Sequence, residues 1–372
     1  MYARSSEKND GSIGMDKNIT VATMQFKNDV KVSTTEYLKT YYTFKLGDIA
    51  FEGHQSKEFR YGRFVENDIG NGIVSHIFAV FRPIQEYDLY FWKYAINNET
   101  LMQRILARST KASTMMHDLV TNDFLNETFL VPSVKEQKQI GAFLNKLDNL
   151  ITLHQRKCEQ TKKLKKYMLQ KMFPQNGAKV PEIRFDGFTY DWEQRKLIDY
   201  LEVSSEKNRD NRFTKEDVLS VSGEYGIVNQ IEFQGRSFAG ASVSNYGVVE
   251  NGDVVYTKSP LKSNPYGIIK TNKGIPGIVS TLYAVYKPKE ITDSKFVQIY
   301  FELDSRMNSY MHPLVNKGAK NDMKVSAENA LKGMVSFPKK DEQEMISLYF
   351  STLDNLITLH QRQHKLHLNM LL

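Results

Sequence analysis

The chain has 372 residues, of which 41% are hydrophobic and 25% charged, a composition typical of globular proteins with two or three domains. Its 50 Lys and Arg against 43 Asp and Glu give a net charge of +7, which permits a nucleic acid partner without establishing one. One cysteine, Cys158, excludes a disulfide framework and a cysteine-based zinc site. Because we find no apolar run of about 18 residues and no signal peptide, we expect a cytoplasmic protein.

Residues 1–131 are predicted to form an α+β domain. The run IVSHIFAVF at 73–81 is rich in β-branched and aromatic residues, as strands are. A helical stretch from Leu89 to Ala107 follows, and a further strand leads into the next element. The domain therefore mixes short strands with helices.

Residues 132–174 are predicted to form a long spacer helix. Ser133 and Glu136 have the spacing of a capping box, and Pro174 marks the end. Apolar positions advance in alternating steps of 4 and 3, the period of a coiled-coil seam. About 40 residues correspond to about 60 Å, a length that requires a partner helix. The seam consists of Ile140, Leu144, Leu147, Ile151 and His154, and resumes at Met168 and Met172.

The same helix is basic in its second half, from Arg156 to Lys171. We interpret this run first as the solvated flank of a coiled coil, and second as a surface that contacts phosphate or an acidic partner.

Residues 175–337 are predicted to contain a second α+β domain, preceded by a joint, the segment that connects the first long helix to this domain. The strand-like runs VVENGDVVY at 248–256 and IVSTLYAVY at 278–286 are separated by turns, among them Asn264-Pro265-Tyr266-Gly267. A helical stretch from Ser294 to Met311 follows, as in the first domain.

Residues 338–372 are predicted to form the second spacer helix. Its seam again steps by 4 and 3, through Ile346, Phe350, Leu353, Ile357 and His360, and continues to His364, His367 and Leu371. Two long helices in one chain favour an intramolecular antiparallel pair. Three histidines on one face could bind a metal, but they continue the seam, so we predict packing and no metal site.

The chain is a repeat of itself. LDNLITLHQR occurs at 147–156 and again at 353–362, and Glu136-Gln137 corresponds to Glu342-Gln343. The first copy has no counterpart of residues 167–203. The predicted fold class is therefore α+β, with two repeated α+β domains separated by two long helices that form an antiparallel coiled coil.

Motifs for catalysis are missing from the sequence. It contains neither a GxxxxGK[ST] phosphate loop nor a GxGxxG dinucleotide motif. Asn264-Pro265-Tyr266 is similar to the Asn-Pro-Pro-Tyr loop of adenine methyltransferases but lacks the second proline, which favours a turn that contacts DNA. We therefore predict a protein that is not an enzyme.

The repeated helix motif and the joint, KKYMLQKMFPQNG at 165–177 followed by PEIRFDGFTYDWEQRKL at 181–197, resemble the specificity (S) subunit of type I restriction–modification systems. The resemblance implies that each α+β domain is a target recognition domain reading one half of a bipartite DNA sequence. It also implies that the helices set the spacer and dock two modification (methyltransferase) subunits, which restriction subunits join. S-adenosylmethionine, ATP and Mg²⁺ would belong to these partners, and this chain would hold no cofactor.

The residues expected to contact double-stranded DNA lie on polar, basic loops, because groove-reading surfaces need donors and positive charge. In the first domain they are Gln55, Lys57, Arg60 and Lys111, and in the second they are Lys258, Ser259, Lys262, Asn264, Tyr266, Lys317 and Lys320. Ordinary surface polarity remains an alternative for each. The alternative for the whole chain is a coiled-coil scaffold with two repeated domains and no DNA-binding role.

Overall fold

The computed structural model describes residues 1–27, 34–114, 116–175, 177–258, 264–317 and 323–371, with backbone alone at 316, 317, 323 and 324. The chain divides into two compact units. The first comprises Met1–Leu153 with Gln363–Leu372, and the second comprises His154–Arg362. Each unit thus contains one α+β domain and parts of both long helices.

In its described residues, the α+β part of the first unit contains ten short strands and four short helices. The strands are β1 (Tyr2–Ser5), β2 (Ile19–Thr20), β3 (Gln25–Phe26), β4 (Tyr42–Phe44), β5 (Ile49–Glu52), β6 (Arg63–Glu66), β7 (Gly72–Val74), β8 (Ala79–Pro83), β9 (Thr110–Ala112) and β10 (His117–Leu119). The helices are α1 (Thr35–Leu38), α2 (Leu89–Ala95), α3 (Glu99–Ser109) and α4 (Thr121–Asn126), with a 3₁₀ turn at Met15–Lys17.

An antiparallel sheet of order β1-β8-β5-β6 forms the centre of the first unit. Alternate residues of β5 point to opposite faces of the sheet, as the period of a strand requires. Ile49 and Phe51 pack on the side of Trp92 from α2, whereas Ala50 packs with Val80 on the other side. Both faces of this sheet are therefore covered.

The second unit repeats this sheet. Its strands are β11 (Glu193–Lys196), β12 (Leu201–Val203), β13 (Leu219–Ser222), β14 (Gly226–Asn229), β15 (Gly247–Val249), β16 (Val254–Thr257), β17 (Ile269–Thr271), β18 (Gly277–Val279), β19 (Tyr283–Pro288), β20 (Asn316–Lys317), β21 (Met323–Lys324) and β22 (Met334–Phe337). The central order β12-β19-β16-β17 is that of β1-β8-β5-β6. The expectation that the first copy has no counterpart of residues 167–203 is therefore wrong for residues 201–203, because β12 pairs with β19 as β1 pairs with β8. The prediction of two repeated α+β domains is confirmed.

The helices of the second unit's domain also match the first. They are α6 (Gln230–Gln234), α7 (Ser294–Tyr300), α8 (Asp304–Met311) and α9 (Ala327–Ala330), with 3₁₀ turns at Leu197–Asp199 and Lys215–Asp217. The pair α7 and α8 occupies the chain position that α2 and α3 occupy in the first copy. The pairing of β11 with β22 has no equivalent among the described strands of the first copy.

Two long helices complete the chain, α5 (Val134–Lys171, 38 residues) and α10 (Lys340–Leu371, 32 residues). The Ser133 hydroxyl accepts a hydrogen bond from the Glu136 amide at 3.4 Å, so Ser133 caps α5 as predicted. All ten predicted spacer residues are buried or half-buried, namely Ile140, Leu144, Leu147, Ile151, His154, Ile346, Phe350, Leu353, Ile357 and His360. The two predicted long helices are confirmed, and the assignment of these ten residues to one seam stays a prediction.

The two helices run antiparallel where they meet in the second unit. His154 Nδ1 lies 3.2 Å from His360 Nδ1, and Lys165 Nζ lies 2.6 Å from the Asp354 carboxylate. Residue numbers thus rise along α5 as they fall along α10. None of the helices in the described part of the chain is long and apolar enough to cross a membrane.

Candidate nucleic-acid interface

The loop between β5 and β6 carries three of the residues predicted to contact DNA. Gln55, Lys57 and Arg60 are all exposed. The Ser56 hydroxyl accepts hydrogen bonds from the amides of Glu58 and Phe59 at 3.2 and 3.0 Å, so the loop closes on itself. This local turn presents Lys57 at its tip.

Two glycines allow the base of this loop to form. Gly62 has φ +80°, and a Cβ there would lie 2.5 Å from the Glu52 carbonyl oxygen. A Cβ on Gly53 would lie 2.2 Å from the carbonyl oxygen of His117, whose amide donates to Gly53 at 2.8 Å. Only glycine permits this close backbone approach.

The contact between Gly53 and His117 brings a second loop beside the first. His117 begins β10, which pairs with β9, and Lys111 lies exposed on β9 opposite Asp118. An isolated bridge between His54 and Met116 extends the contact. The structure therefore places Lys111 on a hairpin adjacent to the loop that carries Gln55, Lys57 and Arg60.

These cations differ from a neighbouring arginine in their lack of acidic partners. Within the described ranges, Lys57, Arg60 and Lys111 form no ion pair, whereas Arg63 lies 2.8 Å from the Glu52 carboxylate. The Arg60 guanidinium lies over the Tyr61 ring at 5.5 Å. Three unpaired cations on adjacent loops can bind phosphate or base edges.

In the second unit the corresponding loop joins β16 to β17. The Gly267 amide donates to the Asn264 carbonyl at 2.9 Å, which confirms the predicted turn at Asn264–Gly267. Gly267 has φ +77°, and a Cβ there would lie 2.0 Å from the Thr257 carbonyl oxygen. The Tyr266 carbonyl accepts from the Tyr256 hydroxyl at 2.8 Å, which anchors the turn to the sheet.

The predicted contact residues of this loop are more constrained than those of the first unit. The Asn264 amide donates to Asp304 at 2.5 Å, and the half-buried Tyr266 ring lies 6.1 Å from that of His312. Lys258 is half-buried, and burial, reinforced by nearby Lys207, lowers the pKa of its ammonium group. The backbone of Lys317 lies in β20, the counterpart of Lys111 in β9. Outside the described residues lie Ser259, Lys262, Lys320 and the side chain of Lys317.

Lys207 is a candidate that the sequence analysis did not select. It is exposed, its charge acts on Lys258, and its backbone bridges to Gly247. The sequence did contain a signal for Lys207, because the pentapeptide SSEKN occurs at 5–9 and again at 204–208. Its counterpart, Lys8, forms the matching bridge to Tyr42.

The structure offers little for metal chemistry. Across the part of the chain that the structure describes, no three His, Cys, Asp or Glu side chains are grouped to hold a metal ion. His360 meets His154 in the helix seam, and Cys158 is buried there.

Comparison with known proteins agrees with this architecture. Residues 3–163 match the family model of the type I restriction modification DNA specificity domain. The S subunit of the type I restriction–modification system of M. genitalium has the same fold, with a TM-score of 0.56 and 14% identity over 100% of this chain and 91% of that one.

Two other solved structures also match the chain. The HsdS subunit of Thermoanaerobacter tengcongensis has a TM-score of 0.44 and 15% identity over 99% of this chain and 94% of its own. A structure from work on assembly and conformational transition of the type I R-M system has a TM-score of 0.45 and 13% identity, with the same coverages. A sequence search of curated proteins returned no match. Residues 3–163 thus match the type I restriction modification DNA specificity domain, and the chain as a whole has the fold of the M. genitalium S subunit.

Proposed function

We propose that the chain is the DNA sequence-specificity subunit of a type I restriction–modification complex, and that each α+β domain reads one half of a bipartite target. The observation that carries this proposal is the repeated sheet with a cation-bearing loop at the same position in both copies. A protein with internal pseudo-symmetry suits a DNA site with two separated parts, as dimeric DNA-binding proteins do.

The proposed DNA contacts of the first domain are the four exposed residues on adjacent loops, Gln55, Lys57, Arg60 and Lys111. Those of the second domain are Lys258, Ser259, Lys262, Asn264, Tyr266, Lys317 and Lys320. Lysines that bind phosphate position the protein, whereas side chains that reach base edges specify the sequence.

The catalytic steps belong to partner subunits in this proposal. Two modification subunits would bind S-adenosylmethionine and methylate DNA, and restriction subunits would use ATP and Mg²⁺. The proposal rests on the family match and on the absence of phosphate-loop and dinucleotide motifs from the sequence. Methylation of DNA by the purified chain alone, supplied with S-adenosylmethionine, would contradict it.

The loop assignment is tested by DNA binding of the complex with its modification subunits. Lys57→Ala and Lys111→Ala should weaken binding, because each removes an unpaired cation. A phosphate contact should reduce the salt slope by about one, whereas a base contact should cost about 1–3 kcal/mol and relax one position. Lys146→Ala, at an exposed lysine on α5, is the control. Unchanged affinity and salt dependence in both loop variants would refute the assignment and favour the scaffold alternative.

We further propose that the helix pair sets the spacer between the half-sites. Inserting four residues after Lys163 adds about 6 Å and about one helical turn, which nearly preserves the seam. Since base pairs rise by about 3.4 Å each, the gap should lengthen by one or two base pairs while both half-sites stay the same.

The readout is the methylome of a strain that expresses the variant with its partners. A two-residue insertion at the same place is the matched control, since it rotates the seam by about 200° and should disturb folding. An active four-residue variant with an unchanged gap would show that the spacing is set elsewhere.

A further inference from the structure

A pocket of the second unit lies between α10, two turns of the sheet and the start of α7, and it has a volume of about 260 Å³. Five of its side chains carry hydrogen-bond donors and one is acidic. The donors belong to Asn251, Lys273, Lys295, Ser351 and Asn355, and the acid is Asp354. These residues lie outside the β16–β17 loop and β20, so the pocket is separate from the proposed DNA contacts.

The five donor side chains are unused within the described part of the chain. Lys273 and Lys295 form no ion pair there. The side chains of Asn251, Ser351 and Asn355 make no hydrogen bond among the described residues. Because ammonium, amide and hydroxyl groups all donate hydrogen bonds, the pocket suits a ligand rich in acceptors.

Positive charge exceeds negative charge beside this pocket. Lys165 pairs with both nearby carboxylates, since its Nζ lies 2.6 Å from Glu302 and 2.6 Å from Asp354. Lys270 is 8% exposed and forms no ion pair among the described residues. Burial lowers the pKa of Lys270 more than Glu302 raises it, and the charges of Lys165 and Lys273 lower it further. Three lysines thus share two carboxylates, an arrangement that an added anion would stabilise.

The first unit lacks this excess of positive charge. The residues at the positions of Lys270, Lys273 and Lys295 are Val65, Asp68 and Tyr90. Asp68 lies 2.8 Å from Lys93 Nζ, so its charge is balanced within the unit. The excess is therefore a property of the second copy and not of the repeated fold.

A second pocket, of about 450 Å³, adjoins the first and shares Lys295 and Ser351 with it. It is also lined by Ser347, which is 3% exposed and whose hydroxyl has no hydrogen-bond partner among the described residues. Its other charged side chains are those of Asp293, Lys340 and Glu344. Because an unpaired buried hydroxyl is unfavourable, this pocket suits a polar group that can hydrogen-bond with it.

We propose that the two pockets bind a small phosphate monoester whose other part carries hydroxyl groups. The phosphate lies in the first pocket, because its negative charge and three acceptor oxygens match the ammonium groups of Lys273 and Lys295. The hydroxyl groups reach the second pocket, where the Ser347 hydroxyl and the carboxylates of Asp293 and Glu344 accept hydrogen bonds from them.

The test uses the full chain without DNA, in a phosphate-free buffer of constant ionic strength. Isothermal titration calorimetry compares inorganic phosphate, ribose 5-phosphate and ribose. We expect ribose 5-phosphate to bind at least tenfold more tightly than inorganic phosphate, and ribose not to bind. Lys273→Met and Lys295→Met should each weaken the binding of both phosphate ligands about tenfold or more, because a hydrogen bond between charged groups is lost.

Further variants separate the two pockets from general effects. Ser347→Ala should weaken the binding of ribose 5-phosphate but not that of inorganic phosphate. Lys270→Met should raise the melting temperature of the ligand-free chain and yet weaken phosphate binding, because it removes a buried cation. Lys215→Met, at an exposed lysine elsewhere in the second unit, is the control and should leave binding unchanged.

Three results would overturn the proposal. The first is that neither phosphate ligand binds, or that both bind the Lys273→Met and Lys295→Met chains as tightly as the unaltered chain. The second is equal affinity for inorganic phosphate and ribose 5-phosphate, which would exclude the ester. The third is displacement of ribose 5-phosphate by a short DNA duplex, which would assign the pocket to the DNA backbone.

Discussion

The two copies of LDNLITLHQR are identical in sequence but are held differently in the two units. In the first unit, Asp148 accepts a hydrogen bond from the Tyr94 hydroxyl and lies 3.9 Å from Lys93 Nζ. In the second unit, the corresponding Asp354 lies 2.6 Å from Lys165 Nζ, a residue of α5. The same aspartate of the repeated motif is thus bound by a tyrosine hydroxyl in the first unit and by a lysine ammonium group in the second.

This difference extends into the interior of the second unit. Lys165 Nζ also lies 2.6 Å from Glu302, and its side chain is only 12% exposed. Burial lowers the pKa of Lys165, but Glu302 and Asp354 outweigh burial and raise it. In the second unit, a buried network of ion pairs therefore connects the helices to the domain. In the first unit, the Tyr94 hydrogen bond and the more exposed Lys93 make the equivalent connection.

One seam position is also more deeply buried in the second unit than in the first. Phe350 is 0% exposed and its ring lies 6.2 Å from that of Phe173. Its counterpart, Leu144, is half-buried. The second unit accordingly has the larger helix-to-domain core, in which the joint residue Trp192 also takes part.

The largest difference in unfolding free energy should appear when the side chain at this seam position is shortened to alanine in each copy. Phe350→Ala should lower the free energy of unfolding of the second unit by about 4 kcal/mol, because it removes a fully buried ring. Leu144→Ala should cost the first unit about 2 kcal/mol, since less apolar surface is lost. Hydrogen exchange of the amides in each unit measures both. Equal costs would mean that the two seams are energetically alike.

A smaller difference should follow loss of the anchoring lysines. Lys165→Met should destabilise the second unit by about 3 kcal/mol, because it leaves a partly buried carboxylate unpaired. Lys93→Met should cost the first unit about 1 kcal/mol, as its pair with Asp68 is more exposed. The same hydrogen-exchange experiment compares them, and a cost for Lys93→Met as large as that for Lys165→Met would contradict the proposed contrast.

The last difference is one of pH dependence and concerns a carboxyl that the second unit lacks at the equivalent position. Glu66 is 3% exposed, and among the described residues neither of its oxygens has a hydrogen-bond partner. Burial, with a contribution from Asp68, raises the pKa of Glu66 to about 9. The folded state therefore keeps a proton that the unfolded chain releases, so stability should fall as pH rises from about 5 to about 9.

We expect this loss to be about 1 kcal/mol per pH unit, and Glu66→Gln should remove it. Unfolding of the first unit in urea between pH 6 and pH 8 measures the slope. The second unit, with Thr271 at this position, should lack this contribution, and the exposed Glu58→Gln serves as control. A slope that persists in Glu66→Gln would assign the pH dependence to another group.

Some of the candidate site was predictable from the sequence because its signals are local. The turn at Asn264–Gly267 and the equivalence of Lys111 and Lys317 follow from turn residues and repeat spacing, and both hold in the backbone. The attachment of Asn264 to Asp304 does not follow, because 40 residues separate them. The interpretation of the basic run on α5 as a solvated flank is wrong for Lys165, which is 12% exposed and pairs with Glu302 and Asp354.

The sequence by itself determined the repeat, the two long helices and their seam, since identity and a period of 3.5 residues are properties of neighbouring positions. Only the tertiary structure decided which charges are paired. Lys165 meets Glu302 and Asp354 across 137 and 189 residues of chain, while Lys57 and Lys111 form no ion pair among the described residues. Burial and charge pairing depend on elements distant along the chain, and therefore on the folded arrangement of each unit.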